Sequence, residues 1–245
     1  MKVSCVLCTF GRHSAVQRSI GMWLSQDYKY EKELIIFNTA PERLELGEEL
    51  AEMENVILCN QTSNESGKEW QSLGEIRNAA LSHCSGKLYA CWDDDDLFLP
   101  WHLSQGVPSW QACGRRAWKP EKSLFSTDGG RSFKLAGNSM EASILVCLDF
   151  VKEHRFSEGQ SGAEHVQGGW LDKAREKREL CVENCRPSYA YVWGDGLHKT
   201  SGAIDNPDNF ENHKQASRDF GLGKPLIATP LSDLKARFAA AYDFQ

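Results

Sequence analysis

Residues 88–100 read L-Y-A-C-W-D-D-D-D-L-F-L-P. An apolar run, Leu88 to Trp92, meets four consecutive aspartates, Asp93 to Asp96, and a second apolar run, Leu97 to Leu99, is closed by Pro100. A short, continuous apolar run bounded by breakers reads as a strand buried on both faces, which places the carboxylates where a sheet ends. In open α/β sheets ligands bind in the crevice outside the carboxyl ends of the strands. Four like charges this close repel one another and are stable mainly when a cation neutralises them. Carboxylate oxygens are hard ligands that suit Mg²⁺ or Mn²⁺, with substrate phosphates completing the shell. The competing reading is a solvated acidic turn with no ligand. A calcium loop of the EF-hand type fails, because no Gly and late Glu follow at the required spacing.

Working outward, strands and helices alternate. Val3 to Cys8 reads as a strand, and Ser14 can cap a helix with Val16, Ile20, Trp23 and Leu24 on one face. Glu33 to Phe37 and Val56 to Cys59 are further strands, and the acidic stretch from Glu42 to Glu54 between them predicts a solvated helix. A helix that includes Glu75 to Cys84 follows, with Ile76, Ala79, Ala80 and His83 on one face and Gly86 as its stop. This order implies right-handed crossovers and an α/β fold: a Rossmann-like, mainly parallel sheet flanked by helices. In the second half, Thr127–Asp128–Gly129–Gly130 signals a hairpin within residues 122–134. Ser143 to Phe150 fits either a strand or a short helix, and Ala163 to Lys177 a helix with Val166, Trp170, Leu171 and Ala174 roughly on one face. Leu180–Val182 and Tyr189–Trp193 look like strands, and Gly194 to Gly223 like a long loop or lid. Leu231, Leu234 and Phe238 mark a closing helix.

Bulk properties exclude some classes. A 245-residue chain, 41% hydrophobic and 25% charged, is long enough for one domain with a sizeable core. A net charge of −6 argues against a broad nucleic-acid surface, although a local one stays open. No apolar stretch approaches a membrane span, and Met1–Ser4 runs straight into a strand without a signal peptide, so a cytoplasmic location is expected. Nine scattered cysteines fit reduced thiols better than a disulfide framework. Cys5 and Cys8 share a C-x-x-C spacing, but they lie within a strand pattern, where buried cysteine is common, and zinc is not expected.

Three segments together resemble the GT-A glycosyltransferases, in particular the family-2-like inverting enzymes that use nucleotide sugars. The opening V-S-C-V-L-C-T-F-G-R (residues 3–12) with L-I-I-F-N (34–38) is similar to that family's nucleotide-binding start. G-E-I-R-N-A-A-L-S-H-C-S-G-K-L-Y-A-C-W-D-D-D-D-L-F-L-P (74–100) resembles its helix, strand and D-x-D region. R-F-S-E-G-Q-S-G-A-E-H (155–165) resembles the acceptor-side motif that usually carries Glu-Asp. The resemblance implies a GT-A (nucleotide-diphospho-sugar transferase) domain over residues 1–204. Residues 1–100 would form its nucleotide-sugar half and 101–204 its acceptor half, with the 205–245 loop and helix packed on the same domain.

The resemblance also implies roles. Asp95 is the expected metal ligand, and Asp93 contacts the ribose, or the metal through water. Asp94 belongs to the nucleotide-binding set, and Asp96 orients the acceptor or a water. Four identical residues let this frame slip by one. Thr9 and Arg12 flank the nucleotide. Asn38 stands where the family commonly has an acidic residue for the base, and Arg77 and Asn78 match an Arg-Asn pair near the diphosphate or sugar. The alternative for Arg77 is a surface helix ion pair. Histidine replaces the aspartate of the acceptor motif, so either Glu164 or His165 is the base, with Asp172 a remote third candidate. His198, in G-L-H-K-T-S-G (196–202), resembles a late-loop histidine that completes the metal shell, and Lys199, Thr200 and Ser201 can clamp the diphosphate. Trp92, Trp101 and Trp193 are candidates for stacking on sugar or acceptor rings, whereas Trp23 and Trp170 are expected in the core.

The expected activity is therefore metal-dependent transfer, with inversion, from a UDP-sugar to a hydroxyl on a glycan or on a hydroxymethylated DNA base. Two other readings compete with it. A sugar-nucleotide pyrophosphorylase shares the sheet topology but opens with a Gly-rich phosphate loop, whereas this turn has only Gly11. A binding-only relative would explain the altered Glu164–His165 pair.

Overall fold

A computed structural model describes residues 1–127, 130, 133–158 and 168–192 of the chain. In chain order the elements are β1 (Val3–Thr9), α1 (His13–Leu24), β2 (Lys32–Asn38), α2 (Glu48–Ala51), β3 (Val56–Asn60) and α3 (Leu73–Ala80). A 3₁₀ turn (Leu81–His83) leads to β4 (Leu88–Cys91), β5 (Leu97–Phe98), α4 (His102–Cys113), β6 (Ala117–Pro120), β7 (Lys122–Ser126) and β8 (Lys134–Gly137). A second 3₁₀ turn (Glu141–Ser143) precedes β9 (Leu145–Cys147), α5 (Leu148–His154), α6 (Trp170–Glu176), β10 (Leu180–Glu183) and β11 (Tyr189–Val192).

Seven strands form the main sheet in the order β10-β6-β9-β4-β1-β2-β3, and β9 alone runs antiparallel to its neighbours. The expected α/β class with a mainly parallel sheet is what the chain adopts. Central strands read as unbroken apolar runs because helices cover both faces, and every residue of β1 and β4 is buried. Large aromatics fill the layers beside them: Trp23, Trp92, Trp118 and Trp170 are all fully buried. Each such side chain contributes roughly 1.5–3 kcal/mol relative to an exposed one. A smaller sheet, β5-β11-β7-β8, stands beyond the aspartates. Its β7–β8 pair, with Phe125 opposite Lys134, is the hairpin that the Gly-rich turn predicts.

Five local expectations are corrected, the first at α1, which begins at His13 with Arg12 at its cap position, so Ser14 lies inside the helix and does not cap it. Only Glu48–Ala51 is helical within the acidic stretch, because Asn60 clips the preceding segment to the end of β3. The Asn60 amide accepts from Leu44 N (2.8 Å) and donates to Leu44 O (3.1 Å). The side of α3 that faces the interior carries Gly74, Arg77, Asn78 and Ala80, with Ile76, Ala79 and His83 only half-buried. Residues 143–150 hold neither one strand nor one helix but the end of a 3₁₀ turn, then β9 and α5. Gly86 is no helix stop, since the helical segment already ends at His83. It passes so close to β1 that a Cβ there would lie 2.8 Å from Ser4 N and 2.9 Å from Lys2 O. The described part of the 163–177 helix is Trp170–Glu176. Residues 194–223 and the closing helix lie outside the described residues.

That close approach belongs to a polar knot at the amino ends of the central strands. Glu33, 2% exposed, receives Lys2 Nζ (2.6 Å), Ser4 Oγ (2.6 Å), Ser85 N (2.6 Å) and Ser85 Oγ (2.7 Å). Burial by itself raises this carboxyl, but the ammonium and the hydroxyl and amide donors outweigh it and hold it down at about 2, against an ordinary 4.5. A carboxylate depressed in the folded state stabilises the fold fully above its unfolded value, and that contribution is lost as pH falls through the folded one. Glu33→Gln is expected to cost about 1.5–3 kcal/mol at pH 7 in urea unfolding. Its deficit against the unsubstituted protein should shrink as pH falls from about 4.5 toward 2.

Candidate active site

The acidic turn leaves the carboxyl end of β4, beside the carboxyl ends of β1 and β2. Its four side chains part company. Asp94 is fully buried: it accepts from Thr9 Oγ1 (2.7 Å) and pairs with Arg12 Nη2 (2.5 Å), while its backbone oxygen accepts from Arg18 Nη2 (2.9 Å). Burial pushes its carboxyl up to about 7, against the pull of Arg12. The other three converge. One oxygen each from Asp93, Asp95 and Asp96 lie within 4.8 Å of one another, the one such group of metal-capable side chains among the described residues. Three hard oxygen donors at this spacing fit Mg²⁺ or Mn²⁺ with room for phosphate oxygens.

Each converging carboxylate is held from behind. Arg77 Nη2 pairs with Asp93 (2.7 Å), and the Cys91 thiol approaches the same oxygen (3.1 Å). Arg12 Nη1 pairs with Asp95 (3.1 Å). Asp96 accepts from the Tyr189 hydroxyl and from Val192 N (3.2 Å). The cations and donors offset the mutual repulsion that the sequence alone leaves unexplained. Arg77 is 3% exposed, so its pairing is buried rather than a surface helix ion pair.

Both asparagines expected at the nucleotide are occupied. Asn38 Oδ1 accepts from Gly11 N (3.3 Å) and Ala40 N (3.2 Å), and its Nδ2 donates to Glu42 O (2.8 Å) and Asn60 Oδ1 (2.9 Å). Two lone pairs and two N–H groups are thereby used, and Asn38 shapes the turns after β1 and β2. Asn78 grips the 156–158 segment: it accepts from Phe156 N (2.9 Å) and donates to Phe156 O (3.0 Å) and Glu158 Oε1 (2.8 Å). The two neighbours on α3 divide the work, Arg77 reaching the acidic turn and Asn78 the 156–158 segment.

Glu164, His165, Trp193, His198, Lys199, Thr200 and Ser201 lie outside the described residues. Asp172 accepts from Gly168 N (2.9 Å) at the start of its own helix, a local capping contact. Trp92 is fully buried and stacked on Phe98 with centroids 4.1 Å apart, so the stacking role expected for it falls away and it is core. Trp101 carries the Arg186 guanidinium 3.5 Å over its ring and donates to Pro187 O (2.9 Å). Trp23 and Trp170 are core as expected. Cys5 and Cys8 are both buried in β1, three positions apart, so they point to opposite faces of the sheet, and burial pushes the Cys8 thiol up to about 12. Neither forms part of a metal group among the described residues.

Sequence reasoning missed Arg18 and Tyr189. A basic residue between Val16 and Ile20, on the helix just after the opening loop, was a weak signal for the first. Tyr189 carried none, being one apolar strand residue among several until the fold brings it to Asp96.

Residues 4–118 match the family model described as Glycosyl transferase family 2. No curated protein matches by sequence. Among solved structures, residues 1–349 of S. aureus TarS in complex with UDP-GlcNAc align with a TM-score of 0.64 at 15% identity, over 98% of this chain and 72% of that one. A further S. aureus TarS structure aligns at 0.59 and 15% identity over 100% of this chain, which spans 44% of it. Glucosyl-3-phosphoglycerate synthase from Mycobacterium tuberculosis, in complex with Mn²⁺, UDP and glucosyl-3-phosphoglycerate, aligns at 0.52 and 14% identity over 78% of this chain and 71% of that one. Identities this low carry the fold.

Removing the Asn78 clamp isolates its structural share. Asn78→Ala leaves the buried amide and carbonyl of Phe156 without partners and is expected to cost about 1–3 kcal/mol in denaturant unfolding.

Proposed function

We propose that this chain, a family-2-like glycosyltransferase with the GT-A fold, moves a sugar from a UDP-sugar to an acceptor hydroxyl with inversion, at a divalent-cation site made by Asp93, Asp95 and Asp96. The observation that carries the reading is the convergence of those three carboxylates at the carboxyl ends of strands within the segment that matches the family. The UDP complexes of the structurally similar proteins support the choice of donor, and the Mn²⁺ of one of them supports the choice of ion.

A bound cation would neutralise charge developing on the departing diphosphate, so no protonated acid is needed there. The chain's own groups do the rest. Arg12 and Arg77 are guanidiniums already at the carboxylate group, where they can also meet phosphate oxygens bidentately. Thr9 and Arg12 hold Asp94 inside, apart from the three carboxylates that converge. Since Asn38 is engaged by protein partners, the uracil edge would be read by other groups of the turns after β1 and β2. Inversion requires a base on the acceptor side. Glu164 is the proposed base, with His165 as its alternative, and the Asn78 clamp on Phe156 steadies the segment leading to them. His198 is proposed to complete the cation shell. The acceptor is a hydroxyl on a glycan or a hydroxymethylated base.

Slow donor hydrolysis tests this without knowledge of the acceptor. Hydrolysis of one UDP-sugar in a panel, dependent on Mn²⁺ or Mg²⁺, is expected. Calorimetry should show UDP binding that Mn²⁺ strengthens and that Asp95→Ala returns to its metal-free level, and an unchanged response to Mn²⁺ in that variant would refute the metal assignment. Glu164→Ala is expected to keep donor binding while losing transfer by about a hundredfold or more, the usual scale of a general base. Full residual activity would pass the role to His165. A protein that neither hydrolyses nor binds any nucleotide would be a binding-only relative.

A further inference from the structure

We infer that Tyr189 is a positioning residue for the carboxylate group: its hydroxyl, together with the Val192 amide, aims Asp96 at Asp93 and Asp95 and ties the strand β11 to the cation site. The inference rests on the reading of Asp93, Asp95 and Asp96 as that site.

Asp96 is 2% exposed, so little water reaches its charge, and a buried carboxylate requires donors from the protein. It receives two from one short strand. The Tyr189 hydroxyl reaches Oδ2 and the Val192 amide reaches Oδ1, at opposite ends of β11. An ionised carboxylate only accepts, so the phenol is the donor. A donor on each oxygen fixes the plane of the group. Asp93 and Asp95 offer oxygens within 4.8 Å of the Asp96 ligand oxygen, so the fixed plane sets what a cation would meet.

The arrangement has rigid backing. Tyr189 is fully buried, edge-on to Phe98 with centroids 5.4 Å apart, and Phe98 is in turn stacked on Trp92. Tyr189 pairs with Phe98 across the β5–β11 ladder, and β5 begins immediately after Asp96. The donor and the acceptor are therefore held by the same two-stranded pairing. In ordinary metal sites, partners that orient a ligand are worth ten- to a hundredfold in metal affinity. Tyr189 has the placement to supply that here, from outside the residues that touch the ion.

The test is a titration of Mn²⁺ by electron paramagnetic resonance with UDP present, alongside UDP binding measured without metal. Tyr189→Phe is expected to weaken Mn²⁺ binding ten- to a hundredfold while leaving metal-free UDP affinity within about twofold. Loss of packing alone would move both or neither. Asp96→Asn should show a comparable loss, and the double variant should fall no further than the worse single one. Equal Mn²⁺ affinity in Tyr189→Phe and the unsubstituted protein overturns the inference. If the Phe variant does not fold, unchanged Mn²⁺ binding by Asp96→Asn overturns it independently. Failure of the unsubstituted protein to bind Mn²⁺ with UDP would instead refute the cation site itself.

Discussion

The Asp94 carboxyl lies inside the protein, between the Thr9 hydroxyl and the Arg12 guanidinium, and the Arg18 side chain holds the carbonyl of the same residue. Drawing this one aspartate inward leaves its neighbours Asp93, Asp95 and Asp96 to converge on the other side of the turn. Without a cation against it, a charge at that depth would cost several kcal/mol. Arg12 meets the requirement and spans Asp94 and Asp95, so one guanidinium serves the buried anchor and the functional group together.

Around this anchor the two ends of the central strands do different jobs. At the amino ends Glu33 is surrounded by donors and Gly86 lets two backbones touch, an arrangement directed at stability. At the carboxyl ends the polar groups are turned toward one another: Arg77 to Asp93, Arg12 to Asp95, Tyr189 to Asp96. The loop after β1 and helix α3, which pack on the first sheet, supply the arginines, while the second sheet supplies the Tyr189 and Val192 donors. The carboxylate group is thus held from both sheets.

Much of the first hundred residues was legible because strands buried on both faces are largely apolar, as β1, β2 and β4 are, while β3 is a half-buried edge strand. Less was legible where a polar contact across the fold competes with local pattern. Residues 42–54 look like an acidic helix, yet Asn60 captures Leu44 and leaves only Glu48–Ala51 helical. Helix α4, His102–Cys113, carries Gly106 and Pro108 in its interior, which hid it. Its glycine is needed because a Cβ there would come within 2.6 Å of Leu145 and Trp118.

The sequence by itself determined that four aspartates follow a buried strand in an α/β chain, that an Arg-Asn pair precedes them on a helix, and that a glycosyltransferase pattern runs through the first half. Local order suffices for such conclusions, since hydrophobic period and breakers are properties of neighbouring residues. Only the tertiary structure decided which two aspartates are buried, that Asn38 and Asn78 spend their hydrogen bonds on the protein, and that Tyr189 reaches Asp96 across the chain. Four identical carboxylates are indistinguishable until partners far apart in sequence select among them, and those partners meet only when the sheets form.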